Sequence, residues 1–117
     1  MPTTLLIVDD HEEYRRSASA LLEAEGFAVI GVAADGAAAL EAIQRLRPQV
    51  VLLDIQLPDI DGLQLAERLA AGPEPPQVVL ISSRDAAAYG PRLEAAPVRG
   101  FIAKRELTGA ALAALVS

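Results

Sequence analysis

The 117-residue chain reads as an α/β protein, a doubly wound parallel sheet of five βα units forming one domain over residues 1–117. Three observations predict this. Short apolar runs alternate five times with longer segments of helical period. The three central runs are almost continuously apolar, as parallel strands covered on both faces must be. A chain of this length buries roughly two-thirds of its unfolded surface, so a core forms without staples.

The elements follow in order. The first strand is expected at 4–8 (TLLIV), and a helix at 11–25, where Tyr14, Ala18, Leu21 and Leu22 share one face and Gly26 marks the stop. The second strand is expected at 27–32 (FAVIGV), followed by a helix at 36–47 with Leu40, Ile43 and Leu46 on one side and Pro48 ending it. The third strand, 50–53 (VVLL), precedes a helix at 62–71 carrying Leu65 and Leu69, which the breaker GPEPP at 72–76 closes. The fourth strand is 77–81 (QVVLI). The segment 84–97 after it holds Gly90-Pro91, which predicts a short or broken helix, because an interior proline removes a hydrogen bond and clashes with the preceding turn. The fifth strand, 99–103 (RGFIA), leads into a helix at 106–116 through Leu107, Ala111 and Leu115.

Composition narrows the function classes. With no cysteine, disulfides, thiolate catalysis and Cys-ligated zinc are excluded. A net charge of −6 argues against a nucleic-acid or anionic-membrane surface. No apolar run approaches the ~18 residues of a membrane span, and the MPTT start lacks the basic and apolar regions of a secretory signal. A soluble cytoplasmic protein is expected.

In open parallel sheets, ligands bind beyond the carboxyl ends of the strands. Here those ends carry Asp9-Asp10, Asp54, Ser82 and Lys104, the last being the single Lys among ten basic residues. Two carboxylates about 4 Å apart repel by roughly 4 kcal/mol at an effective dielectric near 20. Three sharing one edge must bind a cation or take up protons. Lys104 offsets one charge, and a hard divalent ion with oxygen ligands, magnesium by preference, offsets the rest. Asp also serves as a nucleophile that forms an aspartyl phosphate, and phosphoryl transfer asks for a metal, a cation and hydrogen-bond donors around the transferring oxygens.

Taken singly, each residue has a plainer reading. Asp10 with Glu13 fits a helix N-terminal capping box, Asp54 opens a polar loop, Ser82 lies three residues before Asp85 as a helix cap does, and Lys104 is a solvated lysine. His11 falls in the first helical turn and is expected at the surface. Phe101 is either core or half-exposed. The plain readings do not account for four complementary strand ends in one alternation.

The segments LLIVDD, VVLLDIQLPDIDG with its Asp-x-x-x-Pro-x-x-Asp-Gly spacing, VVLISS and GFIAK resemble, in order and interval, a response-regulator receiver domain of bacterial two-component signalling. The resemblance spans essentially the whole chain and implies a flavodoxin-like (βα)5 fold with strand order 2-1-3-4-5. It implies Asp54 as phosphoacceptor. Asp9, Asp10, Asp54 and the Gln56 backbone carbonyl would bind Mg2+, Ser82 and Lys104 would contact the phosphoryl group, and Phe101 would be the aromatic switch partner of Ser82. The compact ammonium of a lone Lys suits its role, which Arg does not duplicate. A sensor histidine kinase would be the partner, and the face of the fourth helix, fifth strand and fifth helix would serve dimerisation or docking. Such a domain is no enzyme beyond assisting its own phosphorylation and dephosphorylation.

Two departures stand out. Arg105 follows Lys104 where the family usually has proline, so a trans bond and an altered loop path are expected. Phe101 lacks the hydroxyl of the frequent Tyr, leaving a switch by packing alone. VDDHEEYRRSASALLEAEGFAVIG further resembles receivers with a C-terminal helix-turn-helix output, of which no part is expected in these residues; transcription regulation would then be the use. Three rivals stand beside this reading: a magnesium phosphatase, which would want an acid where Gln56 stands; a flavin or nucleotide carrier, which would want a glycine-rich loop after the first strand; and a degenerate receiver acting as an interaction module without phosphorylation.

Overall fold

The structure is a computed structural model and describes residues 2–117; Met1, which begins the expected domain and the MPTT start, lies outside the described residues. Five strands, β1 (Thr4–Val8), β2 (Ala28–Ala33), β3 (Val50–Asp54), β4 (Gln77–Ser82) and β5 (Gly100–Ala103), form one parallel sheet in the order β2-β1-β3-β4-β5. The helices are α1 (Glu12–Ala24), α2 (Gly36–Leu46), α3 (Gly62–Ala70), α4 (Pro91–Ala95) and α5 (Gly109–Leu115). The expected doubly wound sheet and strand order are present. Among the described residues no helix is long and apolar enough to cross a membrane.

Successive strand residues point to opposite faces, and each face has its own core. Leu6, Val8, Val51, Leu53 and Leu80 pack with Ala39 and Ala42 of α2 and with Leu63, Leu65, Ala66 and Leu69 of α3. Leu5, Ile7, Val50, Leu52, Val79 and Ile81 pack with Ala18 and Leu22 of α1 and Leu112 of α5. This two-sided burial is why the central strands read as continuous apolar runs.

Boundaries moved where hydrogen bonds, not hydropathy, set the limit. β2 begins at Ala28 because the Phe27 amide still donates to Leu22 O at the exit of α1, and it runs on to Ala33, whose carbonyl accepts from Asp9 N. β3 and β4 each run one residue beyond their apolar stretch, since Asp54 pairs with Ile81 and Ser82 with Ala103 in the ladder. α5 starts at Gly109 rather than 106, because the Thr108 side chain accepts from Ala111 N at 3.0 Å and caps it; Lys104–Glu106 form a 3-10 turn instead. The fourth helical segment is broken as expected, into a 3-10 turn (Ala86–Ala88) and the five-residue α4. The break is Gly90, at φ +57°, a left-handed conformation that glycine adopts without penalty. Pro91 then opens α4 at its first turn, where its missing N–H costs nothing.

The β3–α3 loop is pinned at several points. Asp59 accepts from Gly36 N (2.8 Å) and Ala37 N (3.0 Å), closing the N-terminus of α2, and the bond from Gly36 N is the main reason its carboxyl lies below the usual aspartate range. Asp61 caps α3 through Leu63 N at 2.8 Å, and Gly62 N donates to Ile55 O at 2.8 Å. A Cβ on Gly62 would overlap the Asp54 carbonyl oxygen and Ile55 Cα, both backbone atoms. Gly62→Ala is therefore expected to destabilise the fold by about 1–3 kcal/mol in urea unfolding, as overpacking does, with the largest amide shift changes at residues 54–56 in NMR spectra.

Candidate functional site

The parallel register delivers the strand ends to one edge of the sheet. Val8 lies beside Leu53, Asp54 beside Ile81 and Ser82 beside Ala103, so Asp9, Asp54, Ser82 and Lys104 leave the sheet together. Asp9, Asp54 and Ser82 are buried, and Lys104 is 12% exposed. Lys104 Nζ stands 2.5 Å from Asp9 Oδ2 and 3.2 Å from Asp54 Oδ2. Asp54 Oδ1 accepts from Gln56 N at 3.1 Å. Asp9 Oδ1 accepts from His11 N at 2.8 Å, and Arg15 donates to the Asp9 carbonyl at 2.7 Å. The peptide bond before Arg105 is trans, and Lys104 reaches both carboxylates despite Arg105 in the usual proline position. Arg105 bonds Asp85 at 2.5 Å across the surface.

His11 is exposed, as expected, yet its Nδ1 lies 3.0 Å from both Asp9 Oδ1 and Asp10 Oδ1. The capping-box alternative for Asp10 is not formed: His11 occupies the N-cap of α1, with no side-chain cap bond. Ser82 does not cap at Asp85 either. Its Oγ accepts from Arg84 N at 3.0 Å and meets the Tyr89 hydroxyl at 2.5 Å. Phe101 is half-buried against the core, its ring centroid 6.3 Å from that of Tyr89 at 56°. The carboxylates, Lys104 and the Gln56 amide are thus assembled, while the Ser82 hydroxyl is engaged on the β4–α4 loop.

Tyr14 and Tyr89 were not singled out for chemistry in the sequence. Tyr14 marked only a helix face, but its ring lies 4.8 Å from Lys104 Nζ, a cation–π distance, and its hydroxyl donates to Lys104 O at 3.4 Å. Tyr89 lay in the broken segment, where no periodicity drew attention to it.

The charges shift one another. Burial pushes the Asp54 carboxyl above the ordinary aspartate range; the Gln56 amide and Lys104 pull it back only in part, and the Asp9 charge adds to the rise. For Lys104, burial acts to lower the ammonium, but the contact with Asp9 and the charges of Asp54 and Asp9 prevail and raise it. Burial, then the charges of Asp9 and Asp54, push Tyr14 up to about 12. Asp9, Asp10, His11 and Asp54 each bring a ligand atom within 4.8 Å of the others. Asp9 Oδ2 is buried and, apart from its ion pair with Lys104, has no hydrogen bond of proper geometry. Three carboxylates against one ammonium are a donor set that could hold a divalent cation.

Comparison with known proteins agrees with this geometry. The family model of the response regulator receiver domain matches residues 5–116. The chain belongs to that family. A Pseudomonas aeruginosa protein described as a transcriptional regulator is 37% identical over 87% of this chain and 49% of its own length. BvgA of Bordetella pertussis, described as a positive transcription regulator of virulence factors, is 33% identical over 91% of this chain and 51% of its own length. The receiver domain therefore spans about half the length of these relatives. Among solved structures, the signal receiver domain of the response regulator NarL from Mycobacterium tuberculosis superposes with a TM-score of 0.85 at 33% identity, covering 97% of this chain and 96% of that one.

The raised Asp54 has a sign that can be checked. A carboxyl whose folded pKa exceeds its unfolded value binds more protons when folded, so its ionisation lowers stability as pH rises through the two values. In metal-free buffer Asp54→Asn is expected to be more stable than the wild type at pH 7. The difference should shrink as pH falls toward the unfolded aspartate pKa, and urea midpoints across pH measure it.

Proposed function

We propose that this receiver domain is a phosphorylation switch whose phosphoacceptor is Asp54, that residues 1–117 act as one receiver unit, and that a sensor histidine kinase is the phosphoryl donor. The observation that carries the reading is the buried Asp54 carboxylate, with Lys104 at 3.2 Å and the other two acids in reach of a common ion. Asp9, Asp10, Asp54 and the Gln56 backbone carbonyl would hold Mg2+. When bound, that ion supplies charge neutralisation at the phosphoryl oxygens and the leaving group.

In the transfer, an Asp54 oxygen forms a bond to phosphorus as the phosphohistidine P–N bond breaks, its electron pair going to the imidazole nitrogen. Lys104 moves with the transferred group, donating to one of its oxygens in place of the Asp54 carboxylate. Ser82 donates to another. The product adds roughly one negative charge over the carboxylate, so the loops bearing Ser82 and Lys104 re-form around it. The face of α4, β5 and α5 would carry the change to a second copy or an output domain, with transcription regulation the use that the transcriptional relatives suggest. No turnover of an outside substrate is assigned. Gln56, where a phosphatase would want an acid, supports that.

Incubation with radiolabelled acetyl phosphate and Mg2+ should label the wild type. Asp54→Ala should fall to background, and a chelator should abolish labelling; robust labelling of Asp54→Ala would overturn the assignment. A wild type that neither labels nor responds to Mg2+ with fluoroberyllate, an aspartyl-phosphate mimic, would point to an interaction module that works without phosphorylation. Independently, Mg2+ at 100 times its Kd should add about 2.7 kcal/mol to unfolding stability, and Asp10→Asn should remove most of that gain.

A further inference from the structure

The Ser82 hydroxyl is fully buried and its hydrogen-bonding capacity is nearly used up within its own loop. A serine hydroxyl has one proton to give and two lone pairs to receive with. Arg84 N occupies one lone pair at 3.0 Å, and the Tyr89 hydroxyl lies 2.5 Å from the same oxygen. A phosphoryl oxygen on Asp54 can only accept, so it needs the proton of Ser82. Either hydroxyl can donate across that contact; we propose that Ser82 does, and that Tyr89 is a latch on it, its phenolic oxygen holding the proton in the resting protein so that a phosphoryl group must win it from Tyr89. This rests on the reading of Asp54 as phosphoacceptor.

The competition has a direction. A hydrogen bond to an ionised acceptor is roughly twice as strong as one between neutral groups, so the phosphoryl oxygen takes the proton once Ser82 turns. Tyr89 then loses the partner that fixed its hydroxyl. Its ring lies against Phe101, which has no hydroxyl of its own with which to sense Ser82. Only Gly90 separates Tyr89 from Pro91 at the start of α4. Gly90 sits at φ +57° with no heavy atom within 4 Å of where a Cβ would be, so the pivot is unobstructed. No residue of α4 is fully buried; Leu93 packs against the core cluster, and Arg92 reaches Asp61 Oδ2 at 2.8 Å, so a shift at the start of α4 must strain or break that one exposed ion pair. Tyr89 is therefore a positioning residue that converts the direction of one proton into a movement at the start of α4.

The test is fluoroberyllate binding with saturating Mg2+, measured by calorimetry on four chains: wild type, Tyr89→Phe, Ser82→Ala and the double variant. Tyr89→Phe keeps the ring on Phe101 and removes only the hydroxyl. It should tighten binding by about three- to tenfold, the worth of one neutral hydrogen bond, and the same change in a Ser82→Ala background should have no effect. Unchanged or weaker binding in Tyr89→Phe, or an equal gain without Ser82, would overturn the latch. The chain has two tyrosines, so their 13Cζ resonances give a second readout in the unaltered protein. The Tyr89 resonance should move when fluoroberyllate binds, and a stationary one would overturn the latch even if a variant failed to fold. A wild type that binds no fluoroberyllate would overturn the phosphoacceptor reading and the latch with it. Normal wild-type binding that is insensitive to Tyr89→Phe would sink the latch alone.

Discussion

One ammonium stands between two buried carboxylates, and the rest of the molecule is arranged to keep it there. Lys104 Nζ is held at 2.5 Å from Asp9 and 3.2 Å from Asp54. Burying such charges costs more than their attraction returns unless geometry and further hydrogen bonds are favourable, and here the charge is not even balanced. The apolar cores on both faces of the sheet offset that cost. β1 and β3 are the central strands that carry the two acids, and their apolar residues from Leu5 to Val8 and from Val50 to Leu53 are fully buried. The pocket is thus a concentration of unfavourable charge held in place by packing.

Rigidity is distributed unequally around that pocket. On the side of β3 and α3, Asp59 and Asp61 cap two helices, and Gly62 lets the backbone approach Asp54 closely. On the side of β4 and α4, the chain breaks into a 3-10 turn, a left-handed glycine and a five-residue helix with no buried residue. Low local stability of this kind marks segments that move. The ion pair of Arg105 with Asp85 joins the β4–α4 and β5–α5 loops, but both side chains are exposed and solvent screens their attraction. The acids sit on the firm side and the Ser82 hydroxyl on the yielding one.

The aromatic residues show how little hydropathy says about the polar atom that a ring will meet. Phe101, the family's switch position by resemblance, lies half-buried on β5. The hydroxyl beside Ser82, however, comes from Tyr89, seven residues along a loop of irregular conformation. Tyr14 reads as an ordinary apolar position of α1, and its second role depends on a lysine 90 residues away. Periodicity reports which face a residue is on. It does not report what polar atom will be waiting there.

The amino-acid sequence by itself determined the five βα units, the acids and the lysine at the strand ends, and the broken segment at Gly90-Pro91, because each is a local matter of hydropathy period or backbone freedom. Only the tertiary structure decided where β3 and β4 stop, where α5 starts, that Lys104 reaches both buried carboxylates beside Arg105, and that the Ser82 hydroxyl is already engaged by Tyr89. Those outcomes depend on ladders and partners contributed by other strands and loops. Hydrogen bonds and charge pairs act over a few ångströms in space, whatever the distance along the chain.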